Sequence, residues 1–294
     1  MAEKYLGSVR FYKHLYIICF ASLLIVPCLY VFYCLQVSMA AVKPLPVTSV
    51  HKADDPETGL PAGSGDYREK YPELFALPVR KQSLTQNTVY LTFDDGPSPV
   101  TEGILDVLEQ CGVKGTFFVV GSRLHSREGK DILRRIVREG HSLGIHSDTH
   151  RYRKIYASVE AWLDDFAAVH QKISDITGRK TDIFRFPGGS INIYNTGLYQ
   201  ELIAEMIRRG YVYFDWNVSV GDISPSPMRA ETLFANAVAR SPGDGSIVIL
   251  MHDSATKTET LKALPKIIEH YRSRGFSFDK LQNSTYPITF GYGS

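Results

Sequence analysis

The sequence has few of the features that would cross-link the chain or draw it to a charged polymer. Of its four cysteines, Cys19, Cys28 and Cys34 fall in one apolar run, and only Cys111 lies beyond that run. A lone cysteine cannot form an internal disulfide, so the rest of the chain does not need one to fold. The formal net charge is only +2, which gives no case for a nucleic-acid partner or a strongly acidic one.

One long charge-free run lies at residues 15–35, and its length is that of a helix that crosses a bilayer. Basic side chains in residues 1–14, and none after the run until Lys43, predict a cytoplasmic N-terminus and an exported remainder. We therefore predict a single-pass transmembrane anchor in the cell membrane. A signal peptide cleaved near Ser38–Ala40, giving a secreted protein, is the alternative. A buried core helix is a third interpretation.

The remainder of the chain divides by composition into two parts. Residues 36–85 are interrupted by proline, glycine and charge and show no apolar period, which predicts an extracellular linker. In residues 86–294, runs that favour strands alternate with segments that favour helices. This alternation predicts an α/β domain with a parallel sheet, either open or closed into a barrel.

The predicted elements can be bounded from periodicity and from turn residues. The runs that favour strands are Val89–Phe93, Gly115–Val120, Ser142–His146, Ile183–Phe186, Tyr211–Trp216 and Ser246–Met251. The segments that favour helices are Thr101–Gln110, Asp131–Glu139, Val159–Ile176, Leu198–Arg209, Glu231–Arg240 and Leu261–Tyr271.

Two adjacent carboxylates, Asp94 and Asp95, follow the first of these strands and precede a Gly-Pro turn. Successive strand residues face opposite ways, so the two carboxylates need not have the same role. Strand ends in α/β proteins are where active sites collect. Taken alone, however, an Asp-Asp-Gly sequence is equally typical of a turn with two solvated acids.

His146 and His150 lie four residues apart where another predicted strand ends. On one side of a helical turn, two imidazoles at this spacing can converge on one metal ion. Structural or surface roles explain most such pairs, so the spacing alone is weak evidence. Either Asp94 or Asp95 could add an oxygen ligand. Two histidines and one carboxylate suit catalytic zinc or a similar divalent ion.

Three further pieces also follow predicted strands. Arg185 could hold a carboxylate in a bidentate pair, and the turn at Gly188 could offer backbone N–H groups to an oxyanion. His252 could be a general acid if a carboxylate orients it, and Asp222 is a loop acid that could do so. Each has an ordinary structural explanation when taken singly. A parallel sheet would nevertheless gather all of them onto one face.

Taken together, these motifs resemble those of the polysaccharide deacetylases, which form carbohydrate esterase family 4 and share the NodB-homology domain. The matching pieces, in chain order, are Thr92–Gly96, His146–His150, Arg185–Pro187, Trp216–Asp222 and Leu250–His252. The resemblance covers residues 86–275. It implies a distorted (β/α) barrel, usually of seven strands, and a metal-dependent hydrolase that removes acetyl groups from peptidoglycan, chitin or xylan.

By this resemblance, the metal ligands are Asp95, His146 and His150. The expected cofactor is a divalent metal, with zinc favoured and with cobalt, manganese or nickel as alternatives.

The resemblance also implies a catalytic set. Asp94 matches the general base, and Arg185 matches the arginine that steadies it. His252 matches the general acid. Asp222, rather than Asp215, matches the carboxylate that orients this acid, because it stands at the family's distance from the preceding tryptophan.

Substrate contacts follow less directly from the resemblance. The Gly188 N–H would bind the oxyanion, and Leu250 would line the acetyl pocket. The chain departs from the family where Ile223 replaces a frequent tryptophan. It departs again where the third motif, Arg185–Gly189, reads Arg-Phe-Pro-Gly-Gly while many members have Arg-Pro-Pro-Tyr. The missing aromatic walls affect substrate preference and remove no catalytic atom.

The expected topology favours peptidoglycan as the substrate, because an anchored and exported domain could reach the adjacent wall. Chitin oligomers and acetylated xylan are the alternatives, and we predict no protein partner. Two other classes are weighed against this interpretation. A glycoside hydrolase would also use paired carboxylates, although two histidines beside them fit a metal site better. A catalytically silent wall-binding protein would not need the full set of base, ligands and acid.

Overall fold

The computed structural model describes residues 65–291, apart from 78–80, 82–86, 224–227 and 240–244. The predicted membrane segment and most of the predicted linker lie outside these residues. Within the described part of the chain, no helix is both long enough and apolar enough to cross a membrane.

The described residues form one parallel sheet of eight strands. The strands are β1 Thr88–Asp94, β2 Thr116–Val120, β3 Ser142–Ser147, β4 Ile183–Phe184, β5 Val212–Tyr213, β6 Val218–Ser219, β7 Ile247–His252 and β8 Ser277–Asp279. They follow the order β5-β4-β3-β2-β1-β7-β6, and β8 pairs with the first half of β1. This seven-strand path is a curled half-barrel, consistent with a distorted (β/α) barrel.

Helices cover the sheet in the alternating pattern that the sequence predicts. They are α1 Gly65–Lys70, α2 Pro99–Cys111, α3 Arg127–Arg138, α4 Tyr152–Ile155, α5 Val159–Thr177, α6 Tyr199–Arg208, α7 Ala230–Ala239 and α8 Thr258–Ser273. A 3₁₀ turn at Gly121–His125 follows β2. All residues of β1 are buried. Helices cover one face of the strand, and side chains inside the curled sheet cover the other.

Local signals fix where two of the helices near the site begin. Ser98 caps α2, where its hydroxyl accepts a hydrogen bond from Val100 N at 3.1 Å. Ser158 caps α5 in the same way, and Gly178 ends that helix in the left-handed conformation. These caps orient α2 directly after the Asp94 turn and set α5 against the strand that carries His146.

The apolar face of α5 packs on the aromatic core. Trp162 and Phe166 are almost fully buried, and the Phe166 ring meets Phe184 of β4 edge-on at 5.5 Å between centroids. Phe186, just beyond β4, lies 4.8 Å from Trp162. This packing fixes the chain on both sides of Arg185.

Several elements differ from those expected. β4 ends at Phe184, two residues before the predicted end, and β6, β8 and α4 lie where no element was predicted. The predicted strand at Tyr211–Trp216 is shortened to β5. Asp215 turns inward there to accept hydrogen bonds from Ser190 and from the backbone of Phe290, so this part of the chain follows side-chain contacts instead of a strand ladder.

The predicted linker also contains more structure than its composition indicates. It includes α1, after which Tyr71 and Leu74 are buried. Arg209 Nη1 donates hydrogen bonds to their carbonyl oxygens at 3.1 and 3.2 Å. A buried arginine from a distant helix thus fixes a segment that has no apolar period of its own.

Candidate active site

The turn after β1 separates the two adjacent carboxylates. Asp94 ends the strand and is 3% exposed, whereas Asp95 has a φ of 78°, a left-handed conformation that non-glycine residues rarely adopt. The following Gly96–Pro97 peptide bond is cis. A Cβ atom at Gly96 would lie 2.1 Å from Asp253 Oδ2, so only glycine fits this turn. Because Asp94 lies in the strand and Asp95 has a left-handed conformation, their carboxylates point to different partners.

Arg185 holds Asp94 in a fixed orientation. Its Nη1 donates to Asp94 Oδ1 at 3.0 Å and to Thr92 Oγ1 at 2.7 Å. Its other N–H groups donate to the backbone oxygens of Phe214 at 2.9 Å and Asp215 at 3.0 Å. Burial raises the pKa of Asp94, and the Arg185 guanidinium opposes that shift. Oδ1 is thus engaged, while Oδ2 accepts no hydrogen bond from a described residue.

Asp95, His146 and His150 each point one ligand atom at a common position. These atoms lie within 4.8 Å of one another. Asp95 Oδ1 is 3.1 Å from His150 Nε2 and 3.6 Å from His146 Nε2. That oxygen is buried and accepts no hydrogen bond among the described residues. A buried carboxylate oxygen facing two imidazole nitrogens is the donor set of a divalent metal site, so these residues fit such an ion.

The tautomer of His146 suits a ligand role. Its Nδ1 lies 2.8 Å from the carbonyl oxygen of Arg185, which leaves Nε2 for the metal position. Burial, followed by the charge of His150, lowers the pKa of His146 to about 3. The imidazole is therefore neutral at neutral pH, with a lone pair available on Nε2.

Asp165 of α5 organises the loop that carries both histidines. Its Oδ2 accepts hydrogen bonds from Ser147 Oγ at 2.6 Å and Asp148 N at 2.7 Å. Its Oδ1 accepts from Thr149 N at 3.0 Å and Thr149 Oγ1 at 2.7 Å. His150, with a φ of 54°, donates its own N–H to Ser147 Oγ. This carboxylate therefore fixes the backbone between the two imidazoles.

Asp165 was not predicted from the sequence, although its position in the helix indicates a buried contact. Asp165 stands three residues after Trp162 and four before Val169, on the apolar face of the helix. An acid on a buried helix face needs partners, so its position indicates a structural or functional contact.

His252 and Asp222 form a second buried pair. His252 Nδ1 and its backbone N both lie 2.8 Å from Asp222 oxygens, and Thr260 Oγ1 donates to Asp222 Oδ2 at 2.8 Å. Burial disfavours both charges, yet the mutual hydrogen bonds and attraction prevail. The pKa of Asp222 is lowered and the pKa of His252 is raised. The pair thus favours the protonated imidazole, in which Nδ1 is bound to Asp222 and Nε2 can donate its proton.

Asp215, the rejected candidate for the acid's partner, contacts a different loop. Its carboxylate accepts hydrogen bonds from Ser190 N at 2.8 Å, Ser190 Oγ at 2.6 Å and Phe290 N at 2.7 Å. It therefore fixes the turn that contains Gly188. That glycine has a φ of 78°, and its N–H makes no hydrogen bond to any residue that the structure describes.

The register of β1 and β7 places the remaining residues. Asp94 pairs with His252, and Thr92 pairs with Leu250. Leu250 and His252 are two residues apart on β7 and so face the same side. Leu250 is 3% exposed and lies beneath the reactive end of the strand.

Asp253 is a second residue that sequence reasoning missed. Its N–H donates to the Asp94 carbonyl oxygen at 3.0 Å, and its Oδ2 accepts from Thr101 Oγ1 at 2.7 Å. Burial, together with the charges of Asp95 and Asp94, raises its pKa to about 7. Its contacts tie the first turn of α2 to the ends of β1 and β7. Its place directly after His252 was the available signal.

Comparisons with known proteins bear on the family and the fold of the chain. Residues 81–207 match the family described as Polysaccharide deacetylase. The YheN protein of Bacillus subtilis (strain 168), which carries the family's name, is 36% identical over 211 residues, covering 71% of this chain and 72% of that protein. The chain belongs to the polysaccharide deacetylase family.

Solved structures extend the likeness to the fold. The catalytic domain of peptidoglycan N-acetylglucosamine deacetylase from Eubacterium rectale ATCC 33656 is 34% identical, with a TM-score of 0.68 over 74% of this chain and 98% of that one. A family 4 acetyl xylan esterase from Clostridium thermocellum, in complex with a cobalt ion, is 29% identical, with a TM-score of 0.56 over 66% of this chain and 87% of that one.

Proposed function

We propose that this protein is a metal-dependent deacetylase that hydrolyses the N-acetyl group of N-acetylglucosamine units in a cell-wall polysaccharide, with peptidoglycan as the first choice. The observation that carries the proposal is that three candidate ligand atoms lie together at the strand ends where Asp94 and His252 pair in register. Asp94 is held by an arginine on one side, and His252 is held by a carboxylate on the other. The likeness to the Eubacterium rectale enzyme supports the choice of polymer.

Asp95, His146 and His150 would hold the metal. When bound, a divalent ion supplies Lewis-acid polarisation of the acetyl carbonyl and lowers the pKa of a water toward ~7. Zinc suits two imidazoles and one carboxylate, and cobalt, manganese and nickel are alternatives. The cobalt complex of the Clostridium thermocellum esterase supports a divalent ion in this family.

Asp94 acts as the general base. Arg185 occupies Oδ1 and prevents rotation of the carboxylate, so the proton of the attacking water passes to Oδ2. Burial raises the pKa of this carboxylate, which makes it a better proton acceptor than a solvated aspartate. The arginine opposes this shift and so favours the ionised form.

His252 acts as the general acid on the opposite side of the scissile bond. Asp222 binds Nδ1, so the proton for the leaving nitrogen comes from Nε2. The free N–H of Gly188 donates to the oxygen that develops negative charge, and Leu250 lines the acetyl pocket. Acetate and a free amino sugar leave the site.

The predicted topology complements this chemistry. A signal anchor at 15–35 and a linker at 36–85 would tether the catalytic domain, 86–294, outside the cell and within reach of the wall. Cell fractionation with protease treatment of intact cells tests this arrangement. A full-length membrane-bound product that intact cells expose to protease supports the anchor. A shorter product in the medium would favour a secreted enzyme.

Acetate release tests the function directly. The full chain is incubated with peptidoglycan, with penta-N-acetylchitopentaose and with acetyl-xylan, each with and without a chelator. We expect release from peptidoglycan that the chelator abolishes and added zinc restores. No acetate from any of the three by metal-loaded protein would contradict the proposal, and reducing ends without acetate would indicate a glycoside hydrolase.

A further inference from the structure

The loop after Gly188 exposes large apolar side chains beside the site. Ile193 is 85% exposed and Tyr194 is 46% exposed. Side-chain amides of the loop donate hydrogen bonds to its own backbone. Asn192 Nδ2 donates to Pro187 O at 3.2 Å, and Asn195 Nδ2 donates to Ser190 O at 3.1 Å. Exposed apolar groups on a fixed loop at the mouth of a site indicate a binding surface.

Tyr152 connects this exposed surface to the metal ligands. Its ring meets His150 edge-on at 5.3 Å between centroids and lies 4.9 Å from the ring of Tyr194. A Cβ atom at Gly188 would lie only 2.9 Å from Tyr152 Cε1. Tyr152 therefore occupies space beside the free Gly188 N–H that a side chain at position 188 would otherwise fill.

The chemistry of the two tyrosines suits a sugar ring. A pyranose has an apolar face of C–H groups and a rim of hydroxyl groups, which matches an aromatic face with a polar edge. The Tyr152 hydroxyl has no hydrogen-bond partner among the residues that the structure describes.

We infer that Tyr152 and Tyr194 form a subsite for the sugar unit next to the one that is deacetylated. The ring of that unit stacks on Tyr194, and the Tyr152 hydroxyl donates a hydrogen bond to one of its oxygen substituents. The inference rests on the proposed function, because it names the part of the glycan that a deacetylase of this kind holds. Tyr152 and Tyr194 would also supply the aromatic wall that the motif at Gly188 lacks.

Direct binding tests the subsite without turnover. Penta-N-acetylchitopentaose is titrated into the metal-loaded Asp94→Asn protein, with and without an added Tyr194→Ala change. We expect Tyr194→Ala to raise Kd about two- to tenfold, because the sugar ring loses its aromatic partner. Tyr194→Phe should keep Kd within about twofold, because the ring remains. Tyr152→Phe should raise Kd about threefold through loss of one hydrogen bond.

The matched control is Tyr286→Ala, which removes a tyrosine that is 56% exposed and has no described part in the site. Its Kd should equal that of the parent. An unchanged Kd in Tyr194→Ala, or no binding of the pentasaccharide to the parent, would overturn the subsite. If wild-type protein releases acetate while Tyr194→Ala binds normally, only the subsite fails. If wild-type protein releases none, the proposed function fails whatever the binding shows.

Discussion

Two buried ion pairs stand at the neighbouring ends of β1 and β7, and they are built in opposite senses. In the pair of Asp94 and Arg185, the carboxylate is the reactive group and the cation holds it. In the pair of His252 and Asp222, the cation is the reactive group and the carboxylate holds it. Both reactive groups have a raised pKa, the first because burial prevails and the second because the partner prevails. Opposite partners thus prepare one group to accept a proton and the other to donate one.

Removal of the base should produce the largest effect. Asp94→Asn keeps the shape of the side chain and the contact with Arg185 but cannot take a proton. We expect kcat to fall by about 10³–10⁴, the upper part of the range for lost general-base catalysis. Metal content, measured by elemental analysis, should stay that of the parent. Near-normal turnover would mean that Asp94 is not the base.

Removal of the carboxylate on the acid side should cost less, since His252 itself remains. Asp222→Asn should lower kcat by about 10²-fold and change the pH profile. In the parent, activity is lost as pH rises through the raised pKa of His252, because the acid must be protonated. Without the carboxylate that pKa falls, so the alkaline limb should move to lower pH. An unmoved alkaline limb would show that Asp222 does not set the acid's pKa.

A smaller effect should follow from loosening the loop between the histidines. Asp165→Asn replaces two acceptor oxygens by one oxygen and one donor, while the Ser147, Asp148 and Thr149 donors remain. We expect metal affinity to fall about 10- to 100-fold, as for residues that support metal ligands. Competition with a chromophoric chelator measures this. His146→Ala, which should lose the metal entirely, is the reference, and equal affinity in Asp165→Asn and the parent would contradict the positioning role.

The sequence predicted the bounds of a strand best where the strand is buried along its whole length. β1 and β7 differ from the predicted strands by one residue at each of their ends, because both are buried runs bounded by polar turns. Parallel topology then accounts for the meeting of Asp94 and His252, which pair in register. The strands whose course depends on side-chain contacts were harder to predict. The turn at Asp215 follows from partners on other segments, which no local pattern shows.

The supporting residues of the site show the same limit. Asp165 and Asp253 act on the site through hydrogen bonds to distant backbone groups, so their sequence neighbours gave little sign of them. Tyr152 is similar, because its place beside Gly188 depends on the absence of a side chain there. Motif residues could be located from strand ends, whereas the residues that hold them required the tertiary structure.

The contact of Phe290 with Asp215 has a consequence for truncation of the chain. Phe290 N completes the set of donors on the carboxylate that fixes the Ser190 turn, and its ring packs on Trp216 at 4.9 Å between centroids. The described strands of the sheet all precede Phe290 in the chain. Removal of the residues from 290 onward would therefore leave every one of these strands in place. It would take one of its donors from the carboxylate that supports the turn carrying Gly188.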